Sequence, residues 1–231
     1  MRLKKENRPT GRPINRPIVK ICGLRRREDA EAADLLRTDL AGFILSPGYR
    51  RSIDIEKAKT LRRILSPQIG TVGVFVDASY AEIVQAADAG CISMIQLHGS
   101  EDETFIRKIT ALTGLPVIKA FRIGGPEDLA AAAASSAPWV LLDSGSGTVR
   151  CFDWDLLDRF LKEQAAEHDG PLFPGGHQWI LAGGLTAENV PAAIQRFHPD
   201  GVDVSSKVET GGWKDPAKMA AFLAAVRQSR V

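Results

Sequence analysis

Apolar positions fall along the chain in two alternating textures. Short β-rich runs lie at residues 18–22, 40–45, 69–76, 92–97, 116–121, 139–143, 179–182 and 201–204. Each is followed by a longer stretch in which apolar residues recur at helical spacing: 26–37, 54–65, 80–89, 101–112, 127–133, 154–166, 187–197 and 216–228. The pattern predicts eight strands and eight helices in strict alternation. Helix-start chemistry supports the register. Asp54 opens the second helix, Thr186 with Glu188 and Asn189 the seventh, and Asp215 ahead of Pro216 the eighth. Residues 167–177, rich in Asp, Gly, Pro and His, read as a surface insertion on the side away from the strand C-termini.

Strict alternation means parallel strands joined by right-handed crossovers. Eight such units predict an α/β protein closed into a single (β/α)8 TIM barrel, because closure leaves no edge strand. An open doubly wound sheet is the competing architecture. It usually has fewer units and a GxGxxG after its first strand, where this chain has Cys22-Gly23-Leu24. The length of 231 residues suits one barrel, typically about 250 residues.

Composition excludes some classes. With 44% hydrophobic and 25% charged residues the chain is neither disordered nor collagen-like. Apolar stretches such as 130–134 and 139–142 fall far short of the roughly 20 residues that span a bilayer. No apolar core follows the basic N-terminal residues, so no secretory signal is expected. The net charge of +2 is uneven: residues 1–17 carry six basic side chains and one acidic, a balance of +5, which leaves −3 for the rest. Those 17 residues read as a short disordered basic tail outside the fold, and 18–231 as the barrel domain. A mildly acidic barrel gives no nucleic-acid signal. Cys22, Cys91 and Cys151 show no CxxC or Cys/His spacing, which argues against a disulfide framework or a zinc site and fits a reducing cytoplasm.

Barrel active sites lie at the C-terminal ends of the strands. Cys22 ends the first. The second leads into Ser46-Pro47-Gly48-Tyr49-Arg50-Arg51, and the fourth into His98-Gly99. Asp143 ends the sixth, Gly183-Gly184 follows the seventh, and the eighth carries Asp203 ahead of Ser205-Ser206-Lys207. Cys22, before a glycine, should be more exposed than a filler cysteine and is a candidate for catalysis; a buried small residue is the plain alternative. Asp143 is either a helix cap or a half-buried acid with a raised pKa. His98 fits a structural histidine equally well. Arg50 and Arg51 are either solvated or placed to grip a carboxylate. Gly183-Gly184-Leu185-Thr186, ahead of a helix, and the loop after Val204 lie where barrels commonly hold phosphate. No Asp/His/Glu cluster has metal-ligand spacing, so no metal is expected.

Taken in order, Val19-Lys20-Ile21-Cys22-Gly23, Arg51-Ser52-Ile53, Val72-Gly73-Val74-Phe75-Val76, Ile95-Gln96-Leu97-His98-Gly99, Leu141-Leu142-Asp143, Phe152-Asp153-Trp154, Leu181-Ala182-Gly183-Gly184-Leu185 with Glu188-Asn189-Val190, and Val202-Asp203-Val204-Ser205-Ser206 resemble the phosphoribosylanthranilate isomerase family over nearly the whole chain after the tail. The resemblance implies a cofactor-free cytoplasmic barrel of tryptophan biosynthesis. Its substrate would be a small phosphosugar, with no nucleic-acid or membrane partner, and it would be a monomer or homodimer. The implied reaction is an Amadori rearrangement of N-(5'-phosphoribosyl)anthranilate to 1-(2-carboxyphenylamino)-1-deoxyribulose 5-phosphate. The resemblance makes Cys22 the general base, Asp143 the general acid and Arg51 the holder of the anthranilate carboxylate. It places His98 and Asp203 in the substrate pocket and Gly183, Gly184, Ser205 and Ser206 on the phosphate. Lys20, two residues before Cys22 on the same strand face, is placed to favour the thiolate.

The chain departs from the family pattern in two loops. The family's Gly-Gly-Thr-Gly reads Ser146-Gly147-Thr148-Val149, and its Ser-Ser-Gly-Val-Glu reads Ser205-Ser206-Lys207-Val208-Glu209. Val149 and Lys207 raise a second hypothesis, a phosphosugar-binding barrel with weakened catalysis or a regulatory role. A third is an isomerase or epimerase of another sugar phosphate, against which Arg51 speaks.

Overall fold

The computed structural model describes residues 16–144, 153–167 and 173–229. The expectations for Val149, for Cys151 and for residues 1–15 of the tail lie outside them. The described strands are β1 (Ile18–Cys22), β2 (Leu40–Ile44), β3 (Gly70–Phe75), β4 (Met94–Leu97), β5 (Val117–Arg122), β6 (Trp139–Asp143), β7 (Gln178–Leu181) and β8 (Gly201–Val204). They form a closed parallel barrel in sequence order, with β8 paired back to β1. The helices α1 (Arg27–Leu35), α2 (Ile55–Arg62), α3 (Tyr80–Asp88), α4 (Glu103–Thr113), α5 (Pro126–Ala133), α6 (Trp154–Glu167), α7 (Val190–Phe197) and α8 (Pro216–Gln228) each follow a strand. The expected order therefore holds. Asp54 caps α2 by accepting from the Lys57 N–H at 2.7 Å. Asp215 caps α8 from Ala217 and Lys218. No helix among the described residues is long and apolar enough to cross a membrane.

Four expectations need correction. First, α7 starts at Val190 and not at 187. The Thr186 N–H donates to Asn189 Oδ1 (2.7 Å) and the Asn189 N–H to Thr186 Oγ1 (3.3 Å), which closes a turn ahead of the helix. Pro191 then occupies the first helical turn, where its missing N–H costs nothing. Second, the loop after β8 does not lead straight into a helix. It makes one 3₁₀ turn (Ser206–Val208) and an antiparallel ribbon of β9 (Glu209–Thr210) and β10 (Trp213–Lys214), strands too short to show a period.

Third, Arg16 does not lie outside the fold. Its guanidinium meets Asp39 at 2.7 and 3.1 Å, and Asp39 also accepts the Val19 N–H at 2.8 Å. Fourth, the end of the supposed surface insertion is packed. Phe173 is buried and stacks on Trp179 at 5.5 Å, and the His177 ring sits 3.0 Å from the Ala137 carbonyl.

Period-two alternation gives each strand an inward and an outward face. Ile18, Leu40, Val72, Met94, Ile118, Trp139, Leu141 and Ile180 fill the barrel. Val19, Ile21, Phe43, Val202 and other outward residues pack on helix residues such as Phe197 and Phe222. At the closing pair Ile18 lies against Gly201 and Lys20 against Asp203. A Cβ on Gly201 would stand 2.8 Å from Ile18 Cγ1 and 3.3 Å from the Ile18 carbonyl oxygen. Gly201→Ala should therefore destabilise the barrel by about 1–3 kcal/mol through overpacking. Urea unfolding checks this, and an unchanged midpoint would mean the seam has slack.

Candidate active site

Counting by twos from the apolar interior layer leads to the top of the barrel. Cys22, Ile44, Val74, Gln96, Arg122, Asp143 and Asp203 all line one cavity of about 690 Å³ there. The same cavity is lined by Arg51, His98, Gly183, Gly184, Ser205 and Ser206, so every residue expected at the site is brought to one mouth.

Cys22 is buried, with 7% exposure, and not exposed as its position before a glycine suggested. Neighbouring elements cover it. Gly42 lies opposite on β2, and a Cβ there would stand 3.1 Å from both Cα and Sγ of Cys22. The Cys22 carbonyl accepts from Ser205 Oγ at 3.0 Å. Burial pushes the thiol pKa up, Lys20 and Lys214 pull it down, and the Asp203 carboxylate pushes it up. Lys20 is wholly buried, with Nζ 2.9 Å from Asp203 Oδ1. Burial lowers its pKa, but the Asp203 carboxylate outweighs this and holds it above the ordinary lysine value.

Across the mouth, Asp143 is half-buried and its Oδ2 lies 3.4 Å from His98 Nε2. His98 Nδ1 lies 3.1 Å from Gln96 Nε2. With that amide nitrogen donating, the neutral ring carries its proton on Nε2, facing Asp143. Gln96 Oε1 is buried with no hydrogen-bond partner among the described residues. The loop carrying His98 is fixed from behind by Lys119, which donates to the Gly99 carbonyl (2.6 Å) and pairs with Glu101 (2.9 Å).

Arg51 crosses the end of β1. Gly23 makes this possible: its φ is +81°, and a Cβ would stand 2.6 Å from Arg51 Cδ. The guanidinium is not free. Nε and Nη2 bind Glu209 Oε1 and Oε2 at 2.6 and 2.9 Å. Arg50, largely exposed, and Lys214, buried, meet the same carboxylate at 2.7 and 2.9 Å. Burial would raise the Glu209 pKa, but these three cations bring it down to about 2.

The diglycine turn has φ of +87° and +71°, and a side chain on Gly183 would strike Ser144. Asn189 Nδ2 donates to the Gly184 carbonyl at 3.1 Å, so the turn is shaped by a side chain and is not itself a helix start. On the far side, Lys214 Nζ donates to the Ser205 carbonyl at 2.9 Å, and Lys207 lines the cavity.

Reading strand ends missed Gln96 and Arg122, although both were available by parity. Gln96 stands two residues before His98, and Arg122 two after the inward Ala120. Asn189 was seen as a helix signal and as part of the family match, but was given no part in the site. Glu209 stood in the sequence only as the last residue of the Ser-Ser-Gly-Val-Glu match, with no role attached, and Lys214 carried no signal, because a ribbon of two-residue strands brings them in.

The arrangement defines a (β/α)8-barrel enzyme for a small anionic substrate. Comparison with known proteins narrows the class: the family model described as N-(5'-phosphoribosyl)anthranilate (PRA) isomerase matches residues 19–225. The chain belongs to this family. It is 46% identical over 222 residues to the N-(5'-phosphoribosyl)anthranilate isomerase of Symbiobacterium thermophilum, a match that spans 90% of this chain and 97% of that protein. Its fold superposes with TM-score 0.77 and 32% identity on monomers generated from the dimeric enzyme of Thermotoga maritima, covering 91% of this chain and 98% of that one. A phosphoribosyl anthranilate isomerase in complex with reduced 1-(o-carboxyphenylamino)-1-deoxyribulose 5-phosphate gives TM-score 0.76 at 32% identity, with 91% and 98% covered.

The depressed pKa of Glu209 predicts a stability effect. The pair is fully stabilising above the ordinary carboxyl value of about 4.3 and is lost as pH falls toward about 2. Glu209→Gln should lower stability at neutral pH and flatten the decline between about pH 4 and 2. Urea midpoints measured across that range decide it; parallel curves for the two proteins would count against the pairing.

Proposed function

We infer that this chain is an N-(5'-phosphoribosyl)anthranilate isomerase acting in tryptophan biosynthesis. It converts the aminoaldose to 1-(2-carboxyphenylamino)-1-deoxyribulose 5-phosphate. The observation that carries our assignment of roles is the placement of a thiol on β1 and a carboxyl on β6, facing one cavity between an arginine and a glycine turn.

Asp143 in its acid form gives a proton to the ribose ring oxygen as the C1'–O bond breaks, and the anthranilate nitrogen becomes part of an iminium. The Cys22 thiolate then takes the C2' proton, and the electron pair neutralises the iminium to an enamine–enol. Loss of the enol O–H proton and protonation at C1' gives the ketone, so the step is an isomerisation with no external oxidant or reductant. Burial keeps Cys22 largely protonated in the empty site, while Lys20 and the iminium favour its thiolate. His98, with its Nε2 proton toward Asp143, supports the carboxylate left after proton transfer. Arg51 takes the anthranilate carboxylate, Asp203 lines the pocket, and Gly183, Gly184, Ser205 and Ser206 hold the phosphate through backbone N–H groups and hydroxyls.

The reading includes cytoplasmic operation, supported by free Cys22 and Cys91, and action as a monomer or homodimer without nucleic acid. It also takes residues 18–231 as one isomerase domain, preceded by a basic segment whose Arg16 docks on Asp39. The gene should restore growth of a tryptophan auxotroph lacking this step. Cys22→Ala and Asp143→Asn should each lower kcat by roughly 10²- to 10⁴-fold with little change in the thermal midpoint. Near-wild-type turnover in both variants would overturn the acid–base assignment.

A further inference from the structure

We propose that Glu209 is the positioning residue of the substrate-carboxylate site, holding Arg51 side-on so that the remaining edge of its guanidinium is presented to the cavity. The proposal rests on the reading of Arg51 as the carboxylate holder. It adds the group that makes a flexible arginine act as a fixed one, on a segment to which the sequence assigned no part in carboxylate binding.

The geometry carries it. Glu209 takes Nε and one Nη2 hydrogen of Arg51, the side edge of the guanidinium. No hydrogen bond of Arg51 among the described residues uses Nη1, which leaves the end edge formed by Nη1 and Nη2 for a second, two-toothed carboxylate. Arg51 lines the cavity, and its stem lies across Gly23, beside the Cys22 thiol.

Glu209 does not cancel the site's charge. Arg50, Arg51 and Lys214 all face this one carboxylate, so two positive charges remain in excess. Such a cluster suits a ligand that carries both a carboxylate and a phosphate.

Glu209 is itself fixed. Its side chain is only 5% exposed, and its ribbon is clamped to the segment after β1. Trp213 lies under the Arg25 guanidinium at 4.1 Å, and Arg25 donates to the Gly212 carbonyl at 2.5 Å. Through Lys214, which also donates to the Ser205 carbonyl, the same carboxylate ties the Arg51 site to the phosphate loop and to the strand end bearing Cys22. Arg51 and the loop at Ser205 are thus both anchored to one internal carboxylate.

The test separates this proposal from the reading beneath it. Calorimetry on the full chain measures binding of reduced 1-(o-carboxyphenylamino)-1-deoxyribulose 5-phosphate and of the same compound without its ring carboxylate. The quantity read is the ratio of the two dissociation constants. Arg51→Ala should collapse the wild-type preference for the carboxylated ligand. Glu209→Gln should reduce that preference roughly tenfold or more while affinity for the carboxylate-free ligand moves much less. Glu209→Asp, which keeps the charge on a shorter arm, should fall between wild type and Glu209→Gln, and it serves alone if the glutamine variant does not fold. If Arg51→Ala keeps the preference, the Arg51 reading fails and the proposal with it. If Arg51→Ala loses the preference but both Glu209 variants keep it, the Arg51 reading stands and the positioning role of Glu209 is overturned. Equal weakening of both ligands in the Glu209 variants overturns it as well, because that is the mark of a general structural effect.

Discussion

The pairing of the first strand with the last is the constraint on which the rest of the molecule depends. Lys20 and Asp203 are 183 residues apart, yet β1 and β8 place them side by side and their charged groups meet at 2.9 Å inside the barrel. A buried ion pair is costly to desolvate and is weak evidence for net stability. What it supplies here is a positive charge inside the barrel, one inward step below Cys22. Losing either partner would strand the other charge in the interior, so this seam tolerates little change.

The same closure lets the end of the chain serve its beginning. Ser205 bonds the Cys22 carbonyl, and the ribbon after it delivers Glu209 to Arg51 and Trp213 to Arg25. The mouth is accordingly built from a few shared anchors. Cys22, the arginine and the loop at Ser205 are mechanically linked, while Asp143, His98 and Gln96 form a second group across the cavity. The carboxyl on β6 and the thiol on β1 therefore stand on different supports. That separation suits the proposed reaction, in which a proton is delivered at one atom and removed at another.

Burial sets the chemistry of each group. In water Cys22 would be an ordinary thiol and Lys20 a mobile cation. Inside the barrel the thiol is pushed toward its neutral form and the lysine is held charged by a carboxylate. Burial raises the Cys22 pKa, and the positive charge of Lys20 beside it works in the opposite direction.

Much of this was legible from the chain alone. Alternating periods of two and 3.6 residues determined eight β/α units, because a residue's face follows from its position in a strand or helix. Eight parallel units leave closure as the way to remove edges, so the strand ends became a list of site candidates, and Cys22, His98, Asp143 and Asp203 stood on it. Gln96 and Arg122 were within reach of the same parity. What only the tertiary structure decided were the relations between distant side chains: the burial of Cys22 beneath β2 and the β8 loop, the docking of Arg16 on Asp39, the turn that delays α7, and the capture of Arg51 by Glu209. Periodicity reports which way a side chain points from its own backbone. It carries no information about the partner across the mouth, because that partner is set by barrel closure and by loops too short to have a period.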